Sequence, residues 1–544
     1  MSSILYKIFF LTIFWYFYKL PYYYTVARRT GLPVFLCPVT PANPAWLVFA
    51  AILQPWLACH LPRFVYNRLR PCIYGWEFRE RWAMQTELGR SFVLAAPGGV
   101  EVWTADPEAA IQILSRRKDF LQMEIAARIM SLFGHNVTSS DGDEWQRHRK
   151  IVAPVLNERI MAAVWDESRN QARQMMDAFT NKGEKERAET NVALEGLKTL
   201  AINVMVTVAY GVRTPWALAV SYEKAPPGHS ISFMETMSSI VNNLIPAAFI
   251  SSYVLSQPFM PAGLKKLGDA KREFPLYAHE MIAKQRESRD IQNNLIGALV
   301  RAADDSPWAT KAKMYLSESE IIGNIFNITI AGFDTTANAI AYAFLAFALY
   351  PEWQEWVIEE LDMLSPCSDS QKYQKHYPRL TRCMALLYET VRIYSPVLHI
   401  TRRANGPQAT PFLVPNGTNI FVAVGCTHVS PEIYGSDALS FRPTRWIKPS
   451  VSGEHEVLVE PIKGTFLPWG VGPRQCPGQK MAQVEFVAVV QEVLGKWRVE
   501  PAERVGETRE MAKERLHGLI QDSQPQVSQQ LRHPEEVLLR FVKR

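Results

Sequence analysis

The sequence predicts a mainly helical fold with a small β region, preceded by an N-terminal membrane anchor. Three observations carry that expectation. A capping box, Ser317-Glu-Ser-Glu320, opens a run of about 33 residues that is apolar on nearly every face and stops at Pro351, which makes a helix roughly 50 Å long through a protein interior. A glycine-rich loop, Phe466-Leu-Pro-Trp-Gly-Val-Gly-Pro-Arg-Gln-Cys476-Pro-Gly478, leads directly into a second helical pattern from Gln479 to Leu494. At the other end, Ile4 to Val26 is apolar, rich in aromatics and long enough for the ~20 residues that cross a bilayer.

In that first segment Lys7 and Lys19 interrupt the apolar run, Tyr22 to Tyr24 suit an interfacial belt, and Arg28-Arg29 would hold the following end in the cytoplasm. A signal peptide cleaved at Thr25-Val26-Ala27 is the competing reading. The seven cysteines are odd in number and contain no C-x-x-C pair, so neither a disulfide framework nor a zinc site is indicated and a reducing compartment fits. Ala45 to Ala58 is a second uncharged stretch, interrupted by Pro55 and too short to span comfortably; it suits either the membrane surface or a buried segment. The expected division is an anchor over residues 1–62 and a catalytic domain over residues 63–544. The net charge of +6 in 544 residues, without basic runs interleaved with aromatics, argues against nucleic-acid binding.

Within the domain, Ser91 to Ala96 and Val100 to Thr104 flank Pro97-Gly98-Gly99 as a hairpin, and Asp106-Pro107 caps a short helix to about Arg116. Lys118 to Ser140 lacks periodicity and holds apolar residues of the kind that cover a core or wall a pocket. Asp141 to Arg149 starts a helix that Pro154 ends or kinks, with Trp145 and Arg149 on one face, an indole N–H and a guanidinium able to bind a carboxylate together. Val155 to Ala312 reads as mostly helical, broken near Pro226-Pro227-Gly228 and from Pro246 to Pro261.

The middle of the long helix holds Ala331-Gly-Phe-Asp-Thr-Thr336, where a glycine, an acid and two threonines go against helix preference; a threonine bonding back to its own helix opens a groove there. Further on, a helix from about Leu380 to Ile393 carries Glu389 and Arg392 at pairing distance. Asn419 to Val424 and Val537 to Val542 read as strands, and no G-x-G-x-x-G or P-loop appears. Pro477 is expected at the first helical position and Gly495 at a left-handed C-terminal cap. This places Cys476 near a helix N-terminus with Arg474 two residues away, a setting that favours thiolate and hence iron ligation.

Four of these motifs, in this order, resemble the cytochrome P-450 family from about Arg63 to the C-terminus. The loop matches that family's haem signature at Gly472, Arg474, Cys476 and Gly478 and departs from it with Trp469 in place of phenylalanine. The resemblance implies the family's fold and a haem b bound through the Cys476 thiolate. It implies propionate contacts from Trp145, Arg149, Arg402 and Arg474, packing of Trp469 and Gly478 at the haem, and proton delivery by Asp334 and Thr335. A structural triad of Glu389, Arg392 and Arg445 follows as well, with Thr444 where the family often has an acid. The implied activity is insertion of one oxygen atom of O₂ into a lipophilic substrate. Electrons would come from an NADPH-cytochrome P-450 reductase, with cytochrome b5 as a supplementary donor, on an endoplasmic-reticulum membrane facing the cytosol, in a setting compatible with secondary metabolism. Haem-thiolate dehydration or isomerisation without O₂, and non-catalytic haem sensing, are the alternatives; neither needs the acid–threonine pair.

Overall fold

The computed structural model describes residues 2–217, 225–287, 294–304, 315–364, 372–453 and 455–544. Cys367 and the end of the helical stretch expected up to Ala312 lie outside them. The chain forms two compact units, each assembled from three segments: residues 1–129, 397–439 and 462–475 in the first, and 130–396, 440–461 and 476–544 in the second.

The first unit is built on a six-stranded mixed sheet in the order Val34–Leu36, Ser91–Ala96, Gly99–Thr104, Asn419–Val422, Ile400–Ala404, Phe120–Leu121. The expected hairpin is present in antiparallel register, Val93 opposite Val102. Side chains alternate across the sheet, so that Val93, Ala95, Val102, Ile420 and Val422 enter one apolar cluster while Phe92, Leu94, Trp103 and Phe421 enter another. Both faces are buried, which is why these strands are apolar at nearly every position. Asp106 caps the helix Pro107–Ser115 by accepting from the Ala109 N–H at 2.8 Å.

Two expectations change here. The stretch from Lys118 holds a short strand, Phe120–Leu121, and a helix, Glu124–Met130, in place of an irregular segment. The division at residue 62 also moves, because Val34–Leu36 pairs in parallel with Ser91–Ala96 and Ala27 is fully buried in the sheet's core. Those residues belong to the folded unit; the apolar run before them masks that in the sequence. Residues Ser2–Arg28 form one continuous helix and Pro44–His60 a second, capped by Asn43.

The second unit is mainly helical. The capping box forms as expected, Ser317 accepting from the Glu320 N–H and Glu320 accepting from the Ser317 N–H, and the helix Glu318–Leu349 runs for 32 residues until Pro351 opens the next one. Against it pack the helices Ala193–Tyr210, Thr381–Ile393 and Gln479–Leu494. Two of its neighbouring sheets lie near the C-terminus: Trp497–Pro501 with Leu539–Lys543 and Arg187–Thr190, and the hairpin Ser523–Pro525 with Gln529–Leu531. Among the described residues, the helices long and apolar enough to cross a membrane are Ala193–Tyr210 and Glu318–Leu349, both mostly buried in protein.

Candidate functional site

Cys476 lies three residues ahead of Gln479, where the helix Gln479–Leu494 begins. Gly478 (φ −86°, ψ 6°) is the N-cap, so Pro477 precedes the first helical position instead of occupying it. At the far end Gly495 is right-handed (φ −61°, ψ −19°), not the left-handed cap expected, since the chain continues directly into the strand Trp497–Pro501. The Cys476 sulfur receives the backbone N–H groups of Gly478 and Gln479 and feels the charge of Arg149. Burial nevertheless pushes its thiol up from the ordinary value, against the pull of those three groups. Sequence reasoning expected thiolate to be favoured by the helix N-terminus and Arg474; the N–H groups are in place, the charge felt is that of Arg149, and desolvation opposes them. Cys476 is nonetheless an exposed residue.

Trp145 and Arg149 sit one turn apart on the helix Gly142–Val152; Trp145 is buried and Arg149 half-buried. Desolvation lowers the Arg149 pKa while the neighbouring Cys476 raises it, so this guanidinium is poised for an anion. The helix is registered by Asn324 of the long helix, a residue that sequence reasoning missed. Its Oδ1 accepts from the Val137 N–H at 3.1 Å, and its Nδ2 donates to the Glu320 carbonyl at 2.7 Å and to His148 Nδ1 at 2.8 Å. The backbone partners fix the amide orientation, so His148 is held neutral with its proton on Nε2. Burial also lowers the His148 pKa, against the pull of Glu320.

Glu144, His148 and Glu320 bring their ligand atoms within 4.8 Å of one another. A protonated Nε2 cannot ligate, however, and Glu320 is already engaged by Arg147 and by the capping box. The cluster therefore fastens two helices and is not a metal centre. Asn324→Leu would leave the Val137 N–H and His148 Nδ1 buried and unpaired, at about 1–3 kcal/mol each. The expected result is a lower urea midpoint together with weaker cofactor retention; a midpoint equal to that of the native chain would show that the bridge is dispensable.

On the long helix, Ala331, Gly332, Thr335 and Asn338 form an accessible stripe in an otherwise buried element. Thr335 Oγ1 bonds back to the Ala331 carbonyl at 2.8 Å, as expected. A Cβ on Gly332 would meet only the flexible tip of Met205, Cε at 2.0 Å, on the helix Ala193–Tyr210. The neighbouring Asp334 is 2% exposed, and its carboxylate accepts from Ser528 Oγ at 2.6 Å.

Glu389 and Arg392 are fully buried and pair through two contacts of 2.7 and 2.8 Å, with Arg445 Nε on the same carboxylate at 3.1 Å. Trp446 Nε1, unforeseen, donates to Glu389 Oε2 at 2.8 Å, and the Arg442 N–H donates to Oε1 at 2.7 Å.

In the first unit the loop from Phe466 to Gln475 starts at His428, whose Nε2 accepts from the Leu467 N–H at 2.8 Å. His428 was not legible as part of the site. Gly472 (φ 79°) brings the loop close to the end of the helix Pro107–Ser115, where a Cβ would stand 2.9 Å from the Leu114 carbonyl. Trp469 meets Phe466 edge-on at 6.3 Å. Arg402, in the strand Ile400–Ala404, is mostly buried and donates to Gln122 Oε1 at 3.1 Å; Arg474 is half-buried.

Within the second unit alone, an exposed cysteine whose sulfur takes two backbone N–H groups, with a desolvated arginine close enough to act on it, fits an anionic iron porphyrin. Residues 79–527 match the family model described as Cytochrome P-450. The chain is 32% identical over 545 residues, covering 92% of both chains, to the phomenoic acid biosynthesis cluster cytochrome P-450 monooxygenase of Leptosphaeria maculans. It is 27% identical, over 88% of both chains, to the cytochrome P-450 monooxygenase ORF6 of Penicillium roqueforti. A cytochrome P-450 of Arabidopsis thaliana is 23% identical over 73% of this chain and 74% of its own.

Proposed function

The chain belongs to the cytochrome P-450 family and is a haem-thiolate monooxygenase, and from that premise we propose that Cys476 is the axial ligand of a haem b. The observation that carries this is the exposed Cys476, whose sulfur receives the Gly478 and Gln479 N–H groups and feels the Arg149 guanidinium. When bound, the haem supplies dioxygen activation, and thiolate ligation favours O–O cleavage. The remaining work falls to the chain. Arg149 and Trp145, with Arg402 and Arg474, hold the propionates; Trp469 packs at the ring and Gly478 lets the backbone approach it. Pro477 has no N–H, which limits the donors on the sulfur to the two observed.

Thr335 manages protons at the oxygen side, with Asp334 as the acid behind it. Thr335→Ala tests this: haem content should stay unchanged, while the NADPH consumed by the reconstituted enzyme is increasingly recovered as hydrogen peroxide. Unchanged peroxide recovery would make Thr335 structural.

Family membership implies an external redox partner and a lipophilic substrate. We take the partner to be an NADPH-cytochrome P-450 reductase, with cytochrome b5 as a supplementary donor. A secondary metabolite is the substrate class suggested by the biosynthetic-cluster relative. We propose that the catalytic domain lies on the cytosolic face of the endoplasmic reticulum, anchored through the N-terminal helices. Leu11, Phe14, Tyr18 and Tyr22 on the first, and Phe49, Leu53 and Trp56 on the second, present exposed apolar stripes that support a membrane contact.

A further inference from the structure

We propose that His229 is a proton-operated clamp: as an imidazolium held between two carboxylates it ties residues 229–231 to the helix Ala262–Glu287, and it loosens when the ring loses its second proton.

Residues 229–231 lead into the helix Phe233–Asn242, which Ser232 caps by accepting from the Glu235 N–H. Each of the three is bound to the longer helix. His229 Nδ1 lies 2.7 Å from Glu273 Oε2, and its Nε2 lies 3.1 Å from Glu280 Oε1. Ser230 donates to Glu273 Oε1 twice, from its N–H at 3.0 Å and from its hydroxyl at 2.6 Å, and the Ile231 carbonyl accepts from the Tyr277 hydroxyl at 2.8 Å. Glu273, Tyr277 and Glu280 follow one another at helical spacing and share one face. The imidazole lies flat on the Tyr277 ring, with centroids 3.6 Å and planes 3° apart, and Phe233 meets the same tyrosine edge-on at 5.4 Å.

This geometry selects a protonation state. A neutral imidazole has one N–H and one lone pair, whereas a carboxylate only accepts, so a ring with both nitrogens on carboxylates needs both protons. Without the second, a lone pair would face a carboxylate oxygen. The His229 side chain is 2% exposed and that of Glu273 9%, so water does not replace the inner contact; Glu280, at 67%, is the arm that solvent reaches.

Burial opposes the charge on His229, yet Glu273 and Glu280 outweigh it and hold its pKa above the ordinary value. The basic side chains of the same helix are turned to other partners, Lys266 to Glu235, Lys271 to the Ala247 and Ile250 carbonyls, and Arg272 to Asp269. Because the docked value lies above the undocked one, the proton's contribution is fully present below the ordinary histidine value and is lost as pH rises through the docked value. Inside that window each pH unit weakens docking by up to about tenfold.

The test is hydrogen exchange of the full-length holoprotein between about pH 6 and pH 9, the range around histidine titration, with every rate divided by the intrinsic rate at the same pH. Protection of residues 229–242 should fall about tenfold as pH rises through the window, while the buried helix Thr381–Ile393 serves as the unchanging reference. His229→Gln, whose amide does not titrate, should flatten that dependence. Glu280→Gln, a change at an exposed position, should move the fall to lower pH because one of the two carboxylates that raise the pKa is gone. Ser230→Ala should reduce protection at every pH and leave its pH dependence intact, which separates the titrating clamp from an ordinary hydrogen bond. Protection that is flat with pH in the native protein, a fall that persists in His229→Gln, or an unmoved fall in Glu280→Gln overturns the proposal.

Discussion

Cys476→Ala is expected to abolish monooxygenation while leaving the fold intact. The two consequences separate because the cysteine does not hold its helix together. The helix Gln479–Leu494 starts from Gly478 without any side-chain cap, and Val484, Phe486, Val487 and Val490 bury its inner face. Removing the sulfur leaves that packing untouched, so thermal unfolding of the cofactor-free chain should shift by no more than the usual surface substitution, about 0.5 kcal/mol. Turnover, by contrast, loses the thiolate altogether. Residual NADPH-dependent product above background in the alanine protein would show that the reaction runs through another ligand.

Glu389→Ala should be the most destabilising single change in the second unit. One carboxylate, wholly buried, accepts from Arg392, Arg445, the Trp446 indole and the Arg442 N–H. Its removal takes away the carboxylate that balances the charges of Arg392 and Arg445 in the interior; both also reach the Ser440 carbonyl, at 3.1 and 3.4 Å. Breaking a buried ionic cluster from one side costs about 3–5 kcal/mol, a large share of the stability of most domains. The expected result is poor soluble expression and a melting temperature lowered by many degrees. A loss below about 1 kcal/mol in chemical denaturation would mean that the cluster is relaxed by water and contributes little.

What could be read in the sequence was whatever is encoded locally. The capping box at Ser317, the stop at Pro351, the hairpin around Gly98 and the Glu389–Arg392 spacing each involve residues within a few positions of one another, and they stand in the structure as read. Local rules also mislead where one residue serves two geometries. Pro477 suits a first helical turn, but Gly478 takes the cap and leaves the proline outside. The strand Ile400–Ala404 escaped notice because Arg402 and Arg403 break the apolar alternation, although its neighbour Asn419–Val422 was found. The contacts that organise the site are long-range. Asn324 meets His148 across 176 positions and Ser528 meets Asp334 across 194. A lone asparagine in a buried helix or a serine in a turn gives no sign of its partner; only the unlikely polarity of Asn324 and Asn338 inside an apolar helix could have marked them.

The central claim, a haem held through the Cys476 thiolate, is tested most directly by the absorption spectrum of the reduced, carbon monoxide-treated native protein. The account predicts the long-wavelength Soret band of thiolate-ligated haem, present in the native chain and absent from Cys476→Ala. A band at the position given by histidine-ligated haem, or a thiolate band that persists in the alanine protein, would contradict it.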